Sequence, residues 1–154
     1  MAPTHGASSE VRTLAARIIN SQADEIAIMQ RWLRDRQQPV PAADAPMPMM
    51  MHGPTHQMPM PGGAMSGMMM PGMLTEAQMQ QLDASRKTEF DENFLTFMIQ
   101  HHRGAVSMVK ELFATDGAGQ DELVFKFASD VNVDQTTEIA RMERLLFMLK
   151  LGKK

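Results

Sequence analysis

The stretch DENFLTFMIQHHRGAVSMVKELFAT, Asp91 to Thr115, decides the fold. Its Phe94, Leu95, Met98, Ile99, His102, Ala105, Val106, Val109 and Leu112 recur at spacings of three and four, which places them on one face of a helix. Gly117 and Gly119 stop that helix. The same period resumes from Asp121 to Leu151 through Leu123, Val124, Phe127, Val131, Gln135, Glu138, Ile139, Met142, Leu145, Leu146 and Leu149. Two such segments across a short glycine turn predict an antiparallel helical hairpin.

Working outward, a short helix is expected from Thr75 to about Ser85, where Thr75 with Gln78 has the form of a capping box. A long one runs from Ser9 to about Gln37 on Val11, Leu14, Ala15, Ile18, Ile19, Gln22, Ile26, Met29 and Leu33, with Ser8 or Ser9 as cap and Pro39 as stop. No segment alternates as a half-buried strand does, so the chain is read as all-α with no sheet. Aligned at a constant offset, Ala15 to Leu33 and Ala128 to Leu146 share Ala15/Ala128, Gln22/Gln135, Glu25/Glu138, Ile26/Ile139, Ala27/Ala140, Met29/Met142, Arg31/Arg144 and Leu33/Leu146. The first and last helices thus look like copies of one element. The expected organisation is a partial first repeat over 9–38, a loop over 39–74 and a second repeat over 75–151, together one bundle domain. The first copy lacks a leading helix, through loss or truncation, and the short helix or a second protomer is expected to cover the face this leaves.

The loop has an unusual composition. Eleven of the chain's 18 methionines fall in it, at Met47, Met49, Met50, Met51, Met58, Met60, Met65, Met68, Met69, Met70 and Met73, with two of the five histidines, His52 and His56. Prolines and glycines deny it any helical or strand period. Thioether sulfur and neutral imidazole are donors that suit Cu(I), and Ag(I) by extension. Thioethers bind without losing a proton and form no disulfides, and the chain has no cysteine. A plain low-complexity linker is the competing reading, but oxidisable apolar methionines make a poor one.

On the third helix, Met98, His101 or His102, and Met108 line up at spacings of three, four and seven. Gly104 beside them suits close approach of another helix or a ligand. Gln135, Glu138 and Met142 form a line on the fourth helix that faces the histidines across the hairpin, and Glu138 would fix the orientation of one imidazole. Methionines at core spacing usually fill gaps, and Gln135 and Glu138, with Gln22 and Glu25 in the other copy, read first as a buried hydrogen-bond network. His5 is read as part of a tail.

FDENFLTFMIQHHRGAVSM followed by QTTEIARMERLL resembles the signature of the family called domain of unknown function 305, over Phe90 to Leu149 and, as a partial copy, Ser9 to Leu33. The resemblance implies a ferritin-like antiparallel bundle, export from the cytoplasm, and the copper binding through methionine and histidine of CopM-like members. It carries Met98, His101, His102, Met108 and Met142 over as ligands. The first copy keeps Gln22, Glu25 and Met29 but has no MIxHH, so a second full site is not expected there.

Other classes find little support. A net charge of -3 gives no case for nucleic acid or an anionic membrane surface. No run of apolar residues is long enough to span a membrane, and no export signal is present. A di-iron oxidase needs Glu-x-x-His, whereas Glu138 is followed three residues on by Arg141 and Glu25 by Ile28. There is no G-x-S-x-G, phosphate loop or HExxH. The chain is therefore expected not to be an enzyme but to buffer or transfer Cu(I) in the periplasm or outside the cell, exchanging copper with a partner protein. The alternative is a helical interaction module with an adaptable methionine surface and no metal role. Homodimerisation is compatible with both.

Overall fold

The computed structural model describes residues 1–40, 70–117 and 120–152. Among them are four α-helices and no strand: α1 (Ser9–Asp35), α2 (Glu76–Ala84), α3 (Lys87–Ala114) and α4 (Glu122–Leu151). The all-α class holds. The chain divides into two compact units, 1–18 with 69–154, and 19–68. The first is a helical bundle of ferritin-like kind.

In the first unit, α3 and α4 pack as the expected antiparallel hairpin. Side-chain pairs step toward the connection, from Arg103–Glu143 through His102–Glu138 to Phe113–Phe125. Gly117, at φ +79°, takes the left-handed conformation that ends the α3 arm. Asp121 caps α4 by accepting from the Leu123 and Val124 amides. The capping box of α2 is present, Thr75 Oγ1 accepting from Gln78 N while Gln78 Oε1 accepts from Thr75 N.

The core gathers Val11, Leu14 and Ile18 of α1, Leu82 of α2, Phe90, Phe94, Leu95, Phe97 and Ile99 of α3, and Met142 of α4. Phe90, Leu95 and Met142 are fully buried. Each such side chain contributes about 1.5–3 kcal/mol. Phe97 lies off the stripe read from the sequence.

Two features differ from the sequence reading, for one reason. The segment before α1 is not a loose tail: Ala2, His5 and Ala7 are buried. His5 donates from Nδ1 to the Met1 carbonyl at 2.9 Å, meets the Asp83 carbonyl and carboxylate through Nε2 at 3.0 and 3.2 Å, and lies against Phe90. It thus covers part of the face the sequence assigned to a short helix or a second protomer, and α2 covers more through Leu82. Helix α3 begins a turn earlier than Asp91 because the His5 carbonyl accepts from Lys87 N. Asp91 is therefore inside the helix and buried, where both its carboxylate oxygens accept from Ser8 N at 3.2 Å. Ser8 Oγ in turn accepts from Val11 N and caps α1.

The described part of the second unit continues α1 to Asp35. The helix closes in a Schellman motif, with Gln38 N bonding to Leu33 O, Gln37 N to Arg34 O, and Gln37 at φ +53° in the position glycine usually takes. The Arg36 guanidinium lies over the Trp32 ring at 4.1 Å.

Candidate functional site

The two adjacent histidines of α3 have opposite environments. Successive helical residues diverge by about 100°, so one ring enters the hairpin and the other leaves it. His102 is wholly buried and donates from Nε2 to Glu138 Oε2 at 3.3 Å. Gln135, Glu138 and Met142 of α4 are buried as well. The Arg141 guanidinium stands 4.0 Å from the other carboxylate oxygen of Glu138. Burial pushes the His102 imidazolium below its ordinary range, against opposing pulls from the hydrogen bond and charge of Glu138 and from the Met98 backbone carbonyl, toward which a protonated Nδ1 would turn. In the neutral ring with Nε2–H given to Glu138, Nδ1 keeps its lone pair, and that atom is buried without a partner. This is the arrangement in which a carboxylate orients a histidine that offers its other nitrogen to a metal.

His101 is exposed, and its hydrogen bond runs the other way round the ring. Nδ1 donates to the Gly72 carbonyl at 3.3 Å, which leaves the Nε2 lone pair free. The Gly72 carbonyl belongs to a turn, Met70 to Met73, closed by Met73 N donating to Met70 O. Gly72 is at φ +81°. The turn rests on α3 at Gly104: a Cβ on Gly72 would come within 2.7 Å of Gly104 Cα, and a Cβ on Gly104 would overlap the Pro71 carbonyl. Only glycine at both positions permits this backbone-to-backbone approach. Gln100 Nε2 donates to the Met73 carbonyl, and Gln78 Nε2 donates to Gln100 Oε1. Close approach at Gly104 was legible in the sequence; that a turn rather than a helix makes it was not.

Of the other expected ligands, Met98 is half-buried against the core and Met142 lies within it, while Met108 is exposed on α3. Met70 and Met73 are also exposed. Gln22, Glu25 and Met29 belong to the second unit, the first two half-buried and Met29 exposed. The expected ligands Met47, Met49, Met50, Met51, His52, His56, Met58, Met60, Met65, Met68 and Met69 lie outside the described residues. Asp91 and His5 were not singled out by spacing; neither belongs to a periodic pattern.

Among the described residues no three His, Asp or Glu side chains gather as a hard-ligand cage. A cavity of about 350 Å³ is lined by Ser9, Glu10, Thr13, Leu14, Arg17, Arg141 and Leu145, none of them an expected ligand. No described helix is long and apolar enough to cross a membrane.

Comparison with known proteins agrees with this architecture. The family model described as domain of unknown function (DUF305) matches residues 1–146. A crystal structure of a DUF305 protein from Streptomyces coelicolor, described as a candidate secreted protein, is similar at a TM-score of 0.70 and 28% identity. The match covers 96% of this chain and 80% of that one. No curated protein matches the chain. The four helices, the HH pair on α3 and the QxxE line facing it on α4 are thus accompanied by a match over nearly the whole sequence, and the chain belongs to the DUF305 family.

Proposed function

We propose that this protein binds Cu(I), and Ag(I) by the same chemistry, through thioether and imidazole donors, and that it buffers or hands over copper rather than catalysing a reaction. The observation that carries the reading is the state of His102. Its Nε2–H is committed to Glu138, and its Nδ1 is buried, unpartnered and on the helix that bears Met98. An unsatisfied buried nitrogen costs about 1–3 kcal/mol, and a soft cation taken up there would relieve that cost. Met98 and Met142 are the thioethers on the facing helices that would complete an organised site. The methionine-rich stretch would supply several weaker, exchangeable ones. Copper here is cargo.

An extracytoplasmic location fits the thiol-free donor set and the description of the Streptomyces coelicolor relative. A copper-exchanging partner protein, a role in copper homeostasis or resistance, and a homodimer are parts of the same proposal. The interaction-module reading draws support from Leu123, Phe125, Phe147, Met148 and Leu151, apolar residues of α4 that stand exposed.

The test is competition for Cu(I) against a chromophoric chelator, using the parent chain and Met98→Leu/Met142→Leu, which removes both sulfurs at nearly constant volume. The parent is expected to withdraw copper from the chelator, and the double variant to keep its helicity while losing its tightest equivalent. A parent chain that leaves all copper on the chelator defeats the reading.

A further inference from the structure

Adjacent histidines with opposite nitrogens free invite a question the buried site does not answer: what the exposed one is for. His101 is tied through Nδ1 to the Gly72 carbonyl, so its lone pair is at Nε2, on an exposed ring. A structural tie alone would need neither the histidine nor the glycine pair, since Gln100 already holds the turn through the Met73 carbonyl. Gly72 and Gly104 bring the turn's backbone into direct contact with α3, closer than any side chain at either position allows. The turn carries an exposed thioether on each side of Pro71–Gly72, at Met70 and Met73.

We propose that His101 Nε2 and the thioethers of Met70 and Met73 form a second, solvent-open Cu(I) site, separate from His102 and built by the docking of the turn on Gly104. It rests on the soft-metal reading above and adds a division of labour to it. His102 faces the interior and holds; His101 faces solvent and exchanges. Three observations point to an exchange site. The donors are exposed, so a partner's ligands can reach the ion before it leaves. The donors come from two chain segments held together by backbone contacts, which lowers the cost of bringing them to one ion. And the two imidazoles are neighbours, their ring centroids 6.2 Å apart and inclined at 71°, which puts the open site beside the buried one. The donors are two thioethers and one neutral imidazole, a set that favours Cu(I) or Ag(I) over Zn(II) or Mg(II).

The experiment follows methionine methyl and histidine ring signals by NMR in the full chain, with Ag(I) as the redox-inert probe. In the parent, the methyls of Met70 and Met73 are expected to move with His101 Nε2 along one saturation curve. In Gly104→Ala, whose new Cβ displaces the turn, that joint response should weaken by about tenfold to a hundredfold, the range for losing a group that orients a ligand. The methyls of Met98 and Met142 should still respond. His101→Gln alters an exposed residue and should give the same loss with circular dichroism unchanged. If Met70 and Met73 respond at undiminished affinity in both variants, or do not respond in the parent while Met98 and Met142 do, the open site does not exist and the buried one survives. If no methionine responds in the parent, the soft-metal reading itself falls.

Discussion

His102 Nε2 lies 3.3 Å from Glu138 Oε2 in the interior of the α3–α4 hairpin, and both residues are buried. The bond joins the helix that carries the histidine pair to the helix that carries the QxxE line. Removing the carboxylate in Glu138→Ala leaves a second buried polar atom on His102 without a partner. The expected cost is about 1.5–3 kcal/mol, the range for hydrogen bonds to a charged group. Glu138→Gln, which retains an acceptor, should cost less. Urea unfolding of the metal-free protein checks both, and equal stability of Glu138→Ala and the parent would show that the pair contributes nothing.

Acid should weaken the metal-free fold through the same residue. Burial holds the His102 imidazolium below its ordinary range, so the native ring stays neutral where an unfolded histidine, near about 6.5, takes up a proton. Between those two values the unfolded chain binds more protons, and stability falls as pH falls through that window. Above it the two states bind equally and the effect vanishes. Thermal melts of the parent and His102→Gln between about pH 7 and pH 5 should converge on acidification, because only the parent loses this contribution. Parallel curves would contradict the assignment.

Met142 and Met148 stand six residues apart on α4, on different faces, one fully buried and the other 62% exposed. Met142→Ala should cost about 2–5 kcal/mol, by lost transfer energy and the cavity left behind. Met148→Ala should remain within about 0.5 kcal/mol. The contrast, read as a difference in unfolding midpoint, separates methionine as core from methionine as surface in a chain rich in both.

Asp91 holds the start of α1 by accepting from Ser8 N through both oxygens. Asp91→Ala is expected to lower stability by about 1–3 kcal/mol, as an unsatisfied amide and a lost buried acceptor require. His5→Ala removes the bonds to Met1 and Asp83 and the contact with Phe90. The residues before Ser9 should then be cut faster in limited proteolysis while the midpoint of global unfolding moves less than in Asp91→Ala. A cleavage rate unchanged by His5→Ala would mean that the segment is held by Ala2 and Ala7 alone.

What could be read from the sequence divides along the same physical line. Helix periods, the Thr75–Gln78 capping box, the Gly117 stop and the Glu138–histidine pairing depend on residues near one another in sequence or on a repeating face, and spacing reveals both. The early start of α3, the buried Asp91 and the docked His5 depend on partners some 80 residues away, Asp83 for His5 and Ser8 for Asp91. Nothing periodic marks such pairs. Spacing placed His102 on the apolar face but left open which histidine lines up with the methionines; the Glu138 contact and the Gly72 carbonyl show where each ring goes. The Pro71–Gly72 dipeptide announces a turn, but not that the turn seats on Gly104.

The separation of those tying residues also orders events in time. The α3–α4 hairpin closes over a short connection with contacts close in sequence, the topology that forms fastest. The clasp at His5 and Ser8 must wait for residues that a ribosome makes long afterwards. The methionine-rich stretch is therefore synthesised before any scaffold exists to receive it, so a nascent or unfolded chain presents its thioethers while Gly104 and the histidine pair are still absent. If the proposed soft-metal binding holds, weak loading would precede folding, and an organised site would be filled only once the last helix has arrived.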